Sequence, residues 1–323
     1  MARLLIVSDL HFASAGEKLR QHSDQAAATT FVQKLITRTW GHYFWLRCPC
    51  DHNLRLGAIL AREQRYDWLV ANGDYTVDNA FVGVSDDASY ESAAECLSQI
   101  RAAAPGRNLL TIGDHDLGKK SLFGGKGGLR IRSLERMTKS LGVSMTWSHE
   151  IGPWLLIGIT SSVAALPVFA EEILPEERQA WNEVRERLFS ELRQIFGQIT
   201  PAQRMILFVH DPSALPALFQ EPCISARHEL IEATVIGHLH SPKVLFVANR
   251  LRGIPTIGWL GHTTRRYTRA LSQARYWRDF KVVLCPSPTG MQIFKDGGYL
   301  TLHLPESIAE RAIFERKHLA WSH

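Results

Sequence analysis

The sequence predicts an α/β protein, and two observations carry that prediction. Short apolar runs bounded by Gly, Asp or Pro alternate with longer amphipathic stretches, which is typical of strands connected by helices. The chain has 323 residues and is 45% hydrophobic, so it has ample material for a buried core and is neither disordered nor collagen-like. We expect the whole chain, 1–323, to form a single domain.

The predicted elements follow one another along the chain. Six apolar runs are predicted as buried strands: 4–7, 68–71, 109–112, 154–159, 205–209 and 234–236. Helices are predicted at 91–104, 129–141 and 175–196, the last opening on Pro175. After Ser241 the pattern changes to strands joined by turns, at 244–247, 281–285, 290–294 and 299–304. Asp296-Gly297-Gly298 is predicted as the turn of an antiparallel hairpin.

Two segments lie outside the predicted sheet. The segment 117–132 is basic and rich in glycine, and 13–65 is predicted as an insertion that caps the sheet. Within the insertion, 31–56 combines aromatic and basic side chains: Trp40, Tyr43, Phe44 and Trp45 beside Arg38, Arg47 and His42. The aromatics either form the core of a helical cap or face a membrane or acyl chains.

Composition limits the cellular setting. The five cysteines show no disulfide framework, so we expect reduced thiols in a cytoplasmic protein. Cys48, Cys50 and His52 have the wrong spacing for a structural zinc site. The first apolar run is too short for a signal peptide or a spanning helix. The net charge of +5 suits an anionic ligand but is too small to indicate a nucleic-acid-binding protein.

Metal-type ligands follow five of the six predicted strands. The clusters are Asp9-Leu10-His11, Gly73-Asp74, Gly113-Asp114-His115-Asp116, His210-Asp211 and Gly237-His238-Leu239-His240. Because ligands bind outside the carboxyl ends of strands in open α/β sheets, the five clusters should converge. An extended backbone would point both side chains of an i, i+2 pair the same way, and the glycines would permit sharp turns. Mixed carboxylate and imidazole ligands suit two divalent cations that share one carboxylate.

This ordered set, from Asp9 to His240, resembles the calcineurin-like metallophosphoesterase superfamily. The family blocks are Asp-x-His, Gly-Asp, Gly-Asn-His-Asp/Glu, a strand-end His and Gly-His-x-His. The resemblance implies a four-layer αββα metallophosphoesterase sandwich with a helical insertion after the first strand. Its C-terminal segment, 241–323, would hold a basic stretch and the hairpin that completes the second sheet.

The resemblance also implies a site. One metal would be bound by Asp9, His11, Asp74 and His240, and the other by Asp74, Asp114, His210 and His238. His115 would meet the substrate phosphate or protonate the leaving oxygen, with Asp116 orienting it. The cofactors would be two divalent metal ions, with Mn²⁺ expected and Fe, Zn or Mg as alternatives.

Three positions depart from the family pattern. Asp114 stands where the family has Asn, which should hold the second cation more tightly while lowering its Lewis acidity. Asp211 occupies a position where His is common. The segment 73–78 lacks the Gly-Asp-x-Val-Asp spacing of phosphatases, which counts against a monoester substrate.

The function implied is hydrolysis of a phosphodiester or pyrophosphate by attack of a metal-bridging hydroxide. A nucleotide or a UDP-acyl-sugar like the lipid A precursors is a candidate substrate, so the partner would be a phosphate-bearing small molecule or a lipid-linked one. The alternatives are a phosphomonoesterase or protein phosphatase, and a metal-binding protein that Asp114 makes weak or inactive. Nucleic acid is a less favoured partner, and peripheral contact with the inner face of a membrane stays open.

Basic side chains supply the substrate-binding candidates. The loop 117–132 directly follows His115 and could close over phosphate groups, or its lysines could simply be solvated. The stretch 241–281 carries one acid among many basic residues, so a ligand-facing role is favoured over a solvated surface. The candidates are Lys119, Lys120, Lys126, Arg130, Arg265 and Arg266.

Overall fold

The computed structural model describes residues 1–20, 26–44, 49–257 and 262–320. Within these ranges ten strands form two five-stranded sheets. They are β1 (Ala2–Val7), β2 (Trp68–Asn72), β3 (Asn108–Thr111), β4 (Thr146–Ile151), β5 (Trp154–Ile159), β6 (Arg204–Val209), β7 (Ile231–Ile236), β8 (Val282–Leu284), β9 (Gly298–Leu304) and β10 (Ile313–His318). All six strands predicted before Ser241 are present.

Both sheets have a parallel centre and antiparallel strands at an edge. The first sheet has the order β10-β9-β1-β2-β3, in which β1 to β3 are parallel and β9 runs antiparallel to both of its neighbours, β1 and β10. The second has the order β4-β5-β6-β7-β8, with β5 to β8 parallel and β4 antiparallel. The carboxyl ends of β1 to β3 therefore lie together, as do those of β5 to β8.

Alternating side chains divide the core into layers. Leu4 and Ile6 of β1 share one buried cluster with Leu156 of β5 and Phe208 of β6. Leu5, the residue between Leu4 and Ile6, belongs instead to a cluster that contains helix residues. Because successive strand residues point to opposite faces, the first cluster lies between the sheets and the helices cover the outer faces. The predicted four-layer αββα arrangement is confirmed.

The helices occupy the connections between strands. They are α1 (Ala15–Leu19), α2 (Phe31–Tyr43), α3 (Pro49–Arg62), α4 (Asp87–Ala103), α5 (Asp114–Leu117), α6 (Ile131–Glu135), α7 (Ser161–Ala164), α8 (Arg178–Gly197), α9 (Leu215–Gln220), α10 (Pro222–Ser225), α11 (Pro242–Arg250), α12 (His262–Ser272) and α13 (Tyr276–Asp279). Helix α4 begins where Asp86 accepts the amides of Ala88 and Ser89. A π-helical turn, Arg136–Ser140, continues α6. No helix among the described residues is long and apolar enough to span a bilayer.

The predicted helical insertion is confirmed, since α1, α2 and α3 lie between β1 and β2. Of the two alternatives for its aromatics, the core of a cap does not hold for Trp40 and Tyr43, whose side chains are exposed. Trp45, Arg47 and Cys48 lie outside the described residues.

Three predictions after Ser241 are wrong. The apolar run 244–247 belongs to helix α11, because the Ser241 hydroxyl accepts two backbone amides and Pro242 follows as the first helical residue. Residues 290–294 form turns, in which the amide of Phe294 donates to the carbonyl of Met291. The C-terminal hairpin is β9 and β10, and it extends the first sheet through pairing of β9 with β1, whereas β8 joins the second sheet.

Strand β9 pairs with β1 because the apolar faces of the two strands match. Leu300 and Leu302 of β9 share the inter-sheet cluster with Leu4 and Ile6 of the paired strand β1. Strands β4 and β10 were not predicted, since no residue of either is buried and neither contains a continuous apolar run.

Candidate metal centre

The loops after the parallel strands of both sheets meet at one place. Asp9 follows β1, and its amide donates to the carbonyl of Gly73 after β2, at 3.1 Å. From the second sheet, the amide of Gly237 donates to the carbonyl of His210, at 2.9 Å. The two sheets are joined by the amide of His238, which donates to Asp9 Oδ1 at 2.8 Å. The predicted convergence of strand ends therefore exists.

One group of potential ligands consists of Asp9, His11 and His240. His240 Nε2 lies 3.1 Å from Asp9 Oδ1 and 3.3 Å from His11 Nε2. The side chains of Asp9 and His11 are fully buried. Two imidazoles and a carboxylate this close together can bind one divalent cation.

A second group consists of Asp114, His210 and His238. Asp114 Oδ1 lies 3.1 Å from His238 Nδ1 and 3.3 Å from His210 Nε2. It has the same chemistry as the first group, so it can bind a second cation.

Asp74 lies between the two groups. Its Oδ2 is 3.0 Å from His210 Nε2, in the second group, and 3.8 Å from His11 Nε2, in the first. Asp9 also reaches across, with 3.8 Å between its Oδ1 and His210 Nε2. One carboxylate placed between two ligand sets is what a dinuclear site needs.

Unsatisfied polar atoms support a fit to metal ions. Asp9 Oδ2 is buried without a hydrogen bond among the described residues, and the buried Asp74 Oδ2 and His210 Nε2 lie 3.0 Å apart without forming one. Leaving such atoms unpaired in a protein interior is costly, and coordination of a cation would satisfy them. The residues present therefore fit two divalent cations.

The backbone at the site differs from the extended form expected for the i, i+2 pairs. Asp9, His11, Asp74, His238 and His240 all have φ between 40° and 60°. The amides of Leu239 and Ser241 each donate two residues back, at 2.6 Å, so His238 and His240 are the central residues of consecutive tight turns. Each left-handed non-glycine residue costs about 1–3 kcal/mol, and such strain concentrates at functional sites.

Two glycines are required by close approach. A Cβ at Gly237 would lie 2.5 Å from Asp9 Oδ2, although this residue has no positive φ. A Cβ at Gly73 would lie 2.7 Å from Gly113 Cα, and here φ is +89°. A side chain at either position would displace a loop that carries candidate metal ligands. These glycines are therefore needed for lack of space, in addition to the sharp turns that the sequence predicted.

Backbone carbonyls orient three of the imidazoles. The Nδ1 atoms of His210 and His115 lie 2.6 Å from the carbonyls of Asn72 and Val77, and His11 Nδ1 lies 3.4 Å from that of Thr76. Since a carbonyl only accepts, each Nδ1 carries the proton and Nε2 is left as the ligating or reacting atom.

Asp116 holds together the loops around the site, and its predicted role in orienting His115 stays a prediction. Its carboxylate accepts the amides of Tyr75 and Gly113, both at 2.8 Å, and of Asp74 at 3.1 Å. It is the third residue of helix α5, so its side chain turns back to the start of the helix. Asp116 thus holds the loops that carry Asp74, and Val77 supplies the carbonyl that orients His115.

A partly buried arginine, Arg266, balances the additional acids. Arg266 Nη2 lies 2.9 Å from Asp211 Oδ2 and 3.1 Å from Asp114 Oδ2, and its Nη1 lies 3.5 Å from Glu172 Oε1. Its guanidinium also lies 4.3 Å from the centre of the Phe169 ring. The carboxylate at the family Asn position is therefore paired with a cation from helix α12.

Charge and burial shift the pKa values at the site. Burial opposes ionisation of Asp114, but His238 and His210 outweigh it and hold the pKa of Asp114 well below its usual range. Burial also opposes protonation of His210, yet Asp74 and Asp9 raise its pKa. Burial, followed by the nearby Lys119, lowers the pKa of His115 to about 4. Burial and Asp74 raise the pKa of Asp116 to about 7.

Comparison with solved structures identifies the fold. A dimetal phosphatase from Danio rerio matches with a TM-score of 0.55 at 10% identity, over 99% of this chain and 97% of that chain. The chain has the metallophosphoesterase sandwich fold. The resemblance inferred from the ordered motifs is thereby confirmed at the level of fold.

Two weaker matches carry no weight in the fold assignment. A phosphopantetheinyl hydrolase from Mycobacterium tuberculosis has a TM-score of 0.34 at 14% identity, over 73% of this chain and 82% of that chain. A purple acid phosphatase from yellow lupin has a TM-score of 0.34 at 11% identity, over 74% of this chain and 38% of that chain. No family model and no curated protein matches the chain.

The predicted substrate-binding residues lie at different distances from the candidate metal centre. Arg266 is at the site, and Lys119 is near enough to influence His115 and Asp114. Arg265 pairs with Glu171 in a position exposed to solvent. The other three are on the loop 117–132: the amide of Lys120 donates to Glu172, Lys126 lies over Phe81, and Arg130 donates to the carbonyl of Leu129.

That loop is packed through its glycines. A Cβ at Gly127 would lie 2.3 Å from the carbonyl oxygen of Phe81, and one at Gly128 would lie 2.2 Å from that of Glu172. Both have positive φ, so the glycines serve close packing.

The motifs did not assign Asp211 or Glu172 to the site. Asp211 directly follows His210 at a strand end, which is a usable signal, and its Oδ2 lies 3.7 Å from His238 Nε2. Glu172 lies in a connection far from any motif, and nothing in the sequence points to its contact with Arg266.

Proposed function

We propose that this chain is a dinuclear metal-dependent phosphoesterase that hydrolyses a phosphodiester or pyrophosphate. The observation that carries the proposal is the pair of buried Asp/His groups joined by Asp74. The similar fold of a protein described as a dimetal phosphatase supports the same class.

The ligands proposed are those of the two groups. Asp9, His11 and His240 would hold one cation, Asp114, His210 and His238 the other, and Asp74 would be shared. When bound, the cations would supply Lewis acidity and an activated water nucleophile. We propose Mn²⁺ as the metal, with Fe, Zn and Mg as alternatives, because mixed oxygen and imidazole donors accept each of them.

His115 is the proposed acid for the leaving group. Its Nδ1 is held by the Val77 carbonyl, while its Nε2 lies 4.0 Å from Asp74 Oδ2, beside the ligands. The low pKa makes this imidazole neutral at pH 7. A phosphate anion next to Nε2 would favour the protonated form, which can then donate to the departing oxygen.

Charge balance favours a singly charged phosphate. Four carboxylates at the site balance the four positive charges of two divalent cations: those of Asp9, Asp74, Asp114 and Asp211. The negative charge of Glu172 balances the positive charge of Arg266. A near-neutral site gains less from the dianion of a monoester than a site without the two extra carboxylates would. A diester or pyrophosphate, such as a nucleotide or a UDP-acyl-sugar, therefore fits better.

One contact favours a second candidate, a metal-binding protein with a weak or inactive site. Arg266 occupies Asp114 Oδ2, so this carboxylate has only its other oxygen for a metal. If substrate does not displace that contact, the second cation stays shielded from phosphate.

Turnover assays separate the candidates. The chain is incubated with bis-p-nitrophenyl phosphate or p-nitrophenyl phosphate and with Mn²⁺, Fe²⁺, Zn²⁺ or Mg²⁺, before and after chelation, across pH. We expect metal-dependent release from the diester, slowed in His115→Ala. Faster release from the monoester would favour a phosphomonoesterase, and no release under any condition would favour the inactive site.

A further inference from the structure

Helix α2 turns its apolar side chains to solvent. Six of them, spaced as neighbours on a helix, are between 39% and 81% exposed: Phe31, Val32, Leu35, Ile36, Trp40 and Tyr43. A surface helix of a globular protein normally buries this stripe against the core. Here an apolar helix face is left without a partner among the described residues.

The inner face of the same helix is polar or small. Thr37 is the buried residue of α2, and Gln33 and Gly41 lie one turn on either side of it. The helix is nonetheless well formed, because the Thr30 side chain and Gln33 make a reciprocal capping box at its start. Helix α2 therefore turns its polar face to the protein and its apolar face outward. This orientation indicates that the apolar face contacts an apolar environment outside the protein.

Two other segments continue the apolar surface. The amide of Ile293 donates to the carbonyl of Tyr43 at the end of α2, at 2.8 Å. The neighbouring Phe294 ring lies 4.7 Å from Lys243 Nζ, which places it against helix α11. On α11, Phe246 and Val247 are exposed. We call α2 with residues 242–252 and 291–295 the apolar-basic face.

The charges on this face have one sign. It contains six exposed lysines and arginines and no aspartate or glutamate: Lys34, Arg38, Lys243, Arg250, Arg252 and Lys295. A second copy of the chain docked through the same face would bring these like charges together, which is unfavourable. An anionic lipid surface would attract them and accept the apolar side chains.

We propose that the apolar-basic face docks on an anionic lipid bilayer. Phe31, Ile36 and Trp40 enter the interface between headgroups and acyl chains, and Lys34 and Arg38 contact lipid phosphates. Ser241, which caps helix α11, directly follows His240 of the candidate metal centre, so the docked face adjoins the site. Docking does not depend on catalysis, so it stands or falls separately from the proposed function.

Vesicle co-sedimentation with the full chain tests the proposal. Vesicles of phosphatidylglycerol and phosphatidylcholine should bind the protein, and pure phosphatidylcholine vesicles should bind it far more weakly. Each basic residue near an anionic surface contributes about fivefold, so Lys34→Gln/Arg38→Gln should lower the partition coefficient about 25-fold. Ile36→Ser/Trp40→Ser should lower it by about tenfold or more through lost apolar burial.

Matched controls use residues outside the apolar-basic face. Lys139→Gln/Arg187→Gln removes the same charge, and Leu19→Ser/Ile313→Ser removes two exposed apolar side chains. Both control variants should bind anionic vesicles as tightly as the unaltered chain does. All test and control variants should have the same midpoint of urea unfolding as the unaltered chain. Equal losses in controls and test variants, or no binding of the unaltered chain to anionic vesicles, would overturn the proposal. The proposal would also be overturned if the unaltered chain formed a dimer and Ile36→Ser/Trp40→Ser dissociated it. A second copy of the chain, and no bilayer, would then cover the apolar-basic face.

Discussion

At the scale of single residues, the site shows how an unusual carboxylate is accommodated. Asp114 and Asp211 add negative charge beside Asp9 and Asp74, and a buried charge needs a partner. Arg266 provides it, although it is distant in sequence from both acids. Neither acid by itself indicates this pairing, so only the structure shows why both are tolerated.

Arg266→Met should destabilise the metal-free protein. Removing one partner of a buried ionic network typically costs about 3–5 kcal/mol, since the remaining charges lose their compensation. Urea unfolding in the presence of a chelator measures the free energy of unfolding. Asp114→Asn in the Arg266→Met background should recover part of the loss, because it removes the unpaired charge.

Arg265→Met is the control, since that side chain makes an exposed ion pair with Glu171. Its effect should stay within about 1 kcal/mol. An equal loss of stability in Arg265→Met and Arg266→Met would contradict the proposed role of Arg266.

At the scale of elements, the residue after helix α3 ties the insertion to the first sheet. Glu63 accepts from Arg3 Nη2 of β1 at 2.6 Å and from the Tyr299 hydroxyl of β9 at 2.7 Å. Burial opposes its ionised form, but Tyr299 and Arg3 outweigh burial and lower the pKa of Glu63 below 4.5. The ionised carboxylate therefore stabilises the docking of α3.

Glu63→Gln should reduce stability in a pH-dependent way. Because the folded pKa is lowered, the stabilisation is complete above pH 4.5 and is lost as the pH falls through the folded pKa. We expect a loss of about 1 kcal/mol at pH 7 that shrinks on acidification. Urea unfolding at pH 7, 5, 4 and 3 checks this, with Glu176→Gln on an exposed turn as control. A difference that does not vary with pH would refute it.

Sequence patterns predicted the central elements better than the peripheral ones. Strands such as β5, Trp154–Ile159, are buried along their whole length, so a continuous apolar run identifies them. The run 244–247 is equally apolar but is helical, since four residues cannot distinguish the two periods and Ser241-Pro242 starts a helix. Strands β4 and β10 lie at sheet edges, where partial exposure weakens the pattern.

At the scale of the whole molecule, the candidate metal centre belongs to both sheets. Asp9 and Asp74 come from the first sheet, and His210 and His240 from the second, so cation binding should clamp the sheets together. A ligand that binds only the folded state stabilises it by about 2.7 kcal/mol at a hundred times its dissociation constant.

Asp74→Ala should abolish binding of both cations, whereas His115→Ala should retain them. The reason is that Asp74 lies between the two ligand groups and His115 beside them. Metal analysis after dialysis gives the stoichiometry, and the rise in melting temperature on adding Mn²⁺ gives the linkage. Asp279→Ala, an exposed acid, is the control. A full metal complement in Asp74→Ala would show that Asp74 is not the shared ligand.

The sequence alone determined the fold class and the order of ligand types at strand ends, because parallel strands bring consecutive carboxyl ends to one edge. It did not determine the left-handed backbone at Asp9, His11, Asp74, His238 and His240, which neighbouring loops impose. Tertiary structure also decided that β9 joins β1, that Arg266 neutralises Asp114, and that helix α2 faces outward. Each depends on contacts between residues far apart in the chain, which local patterns do not encode.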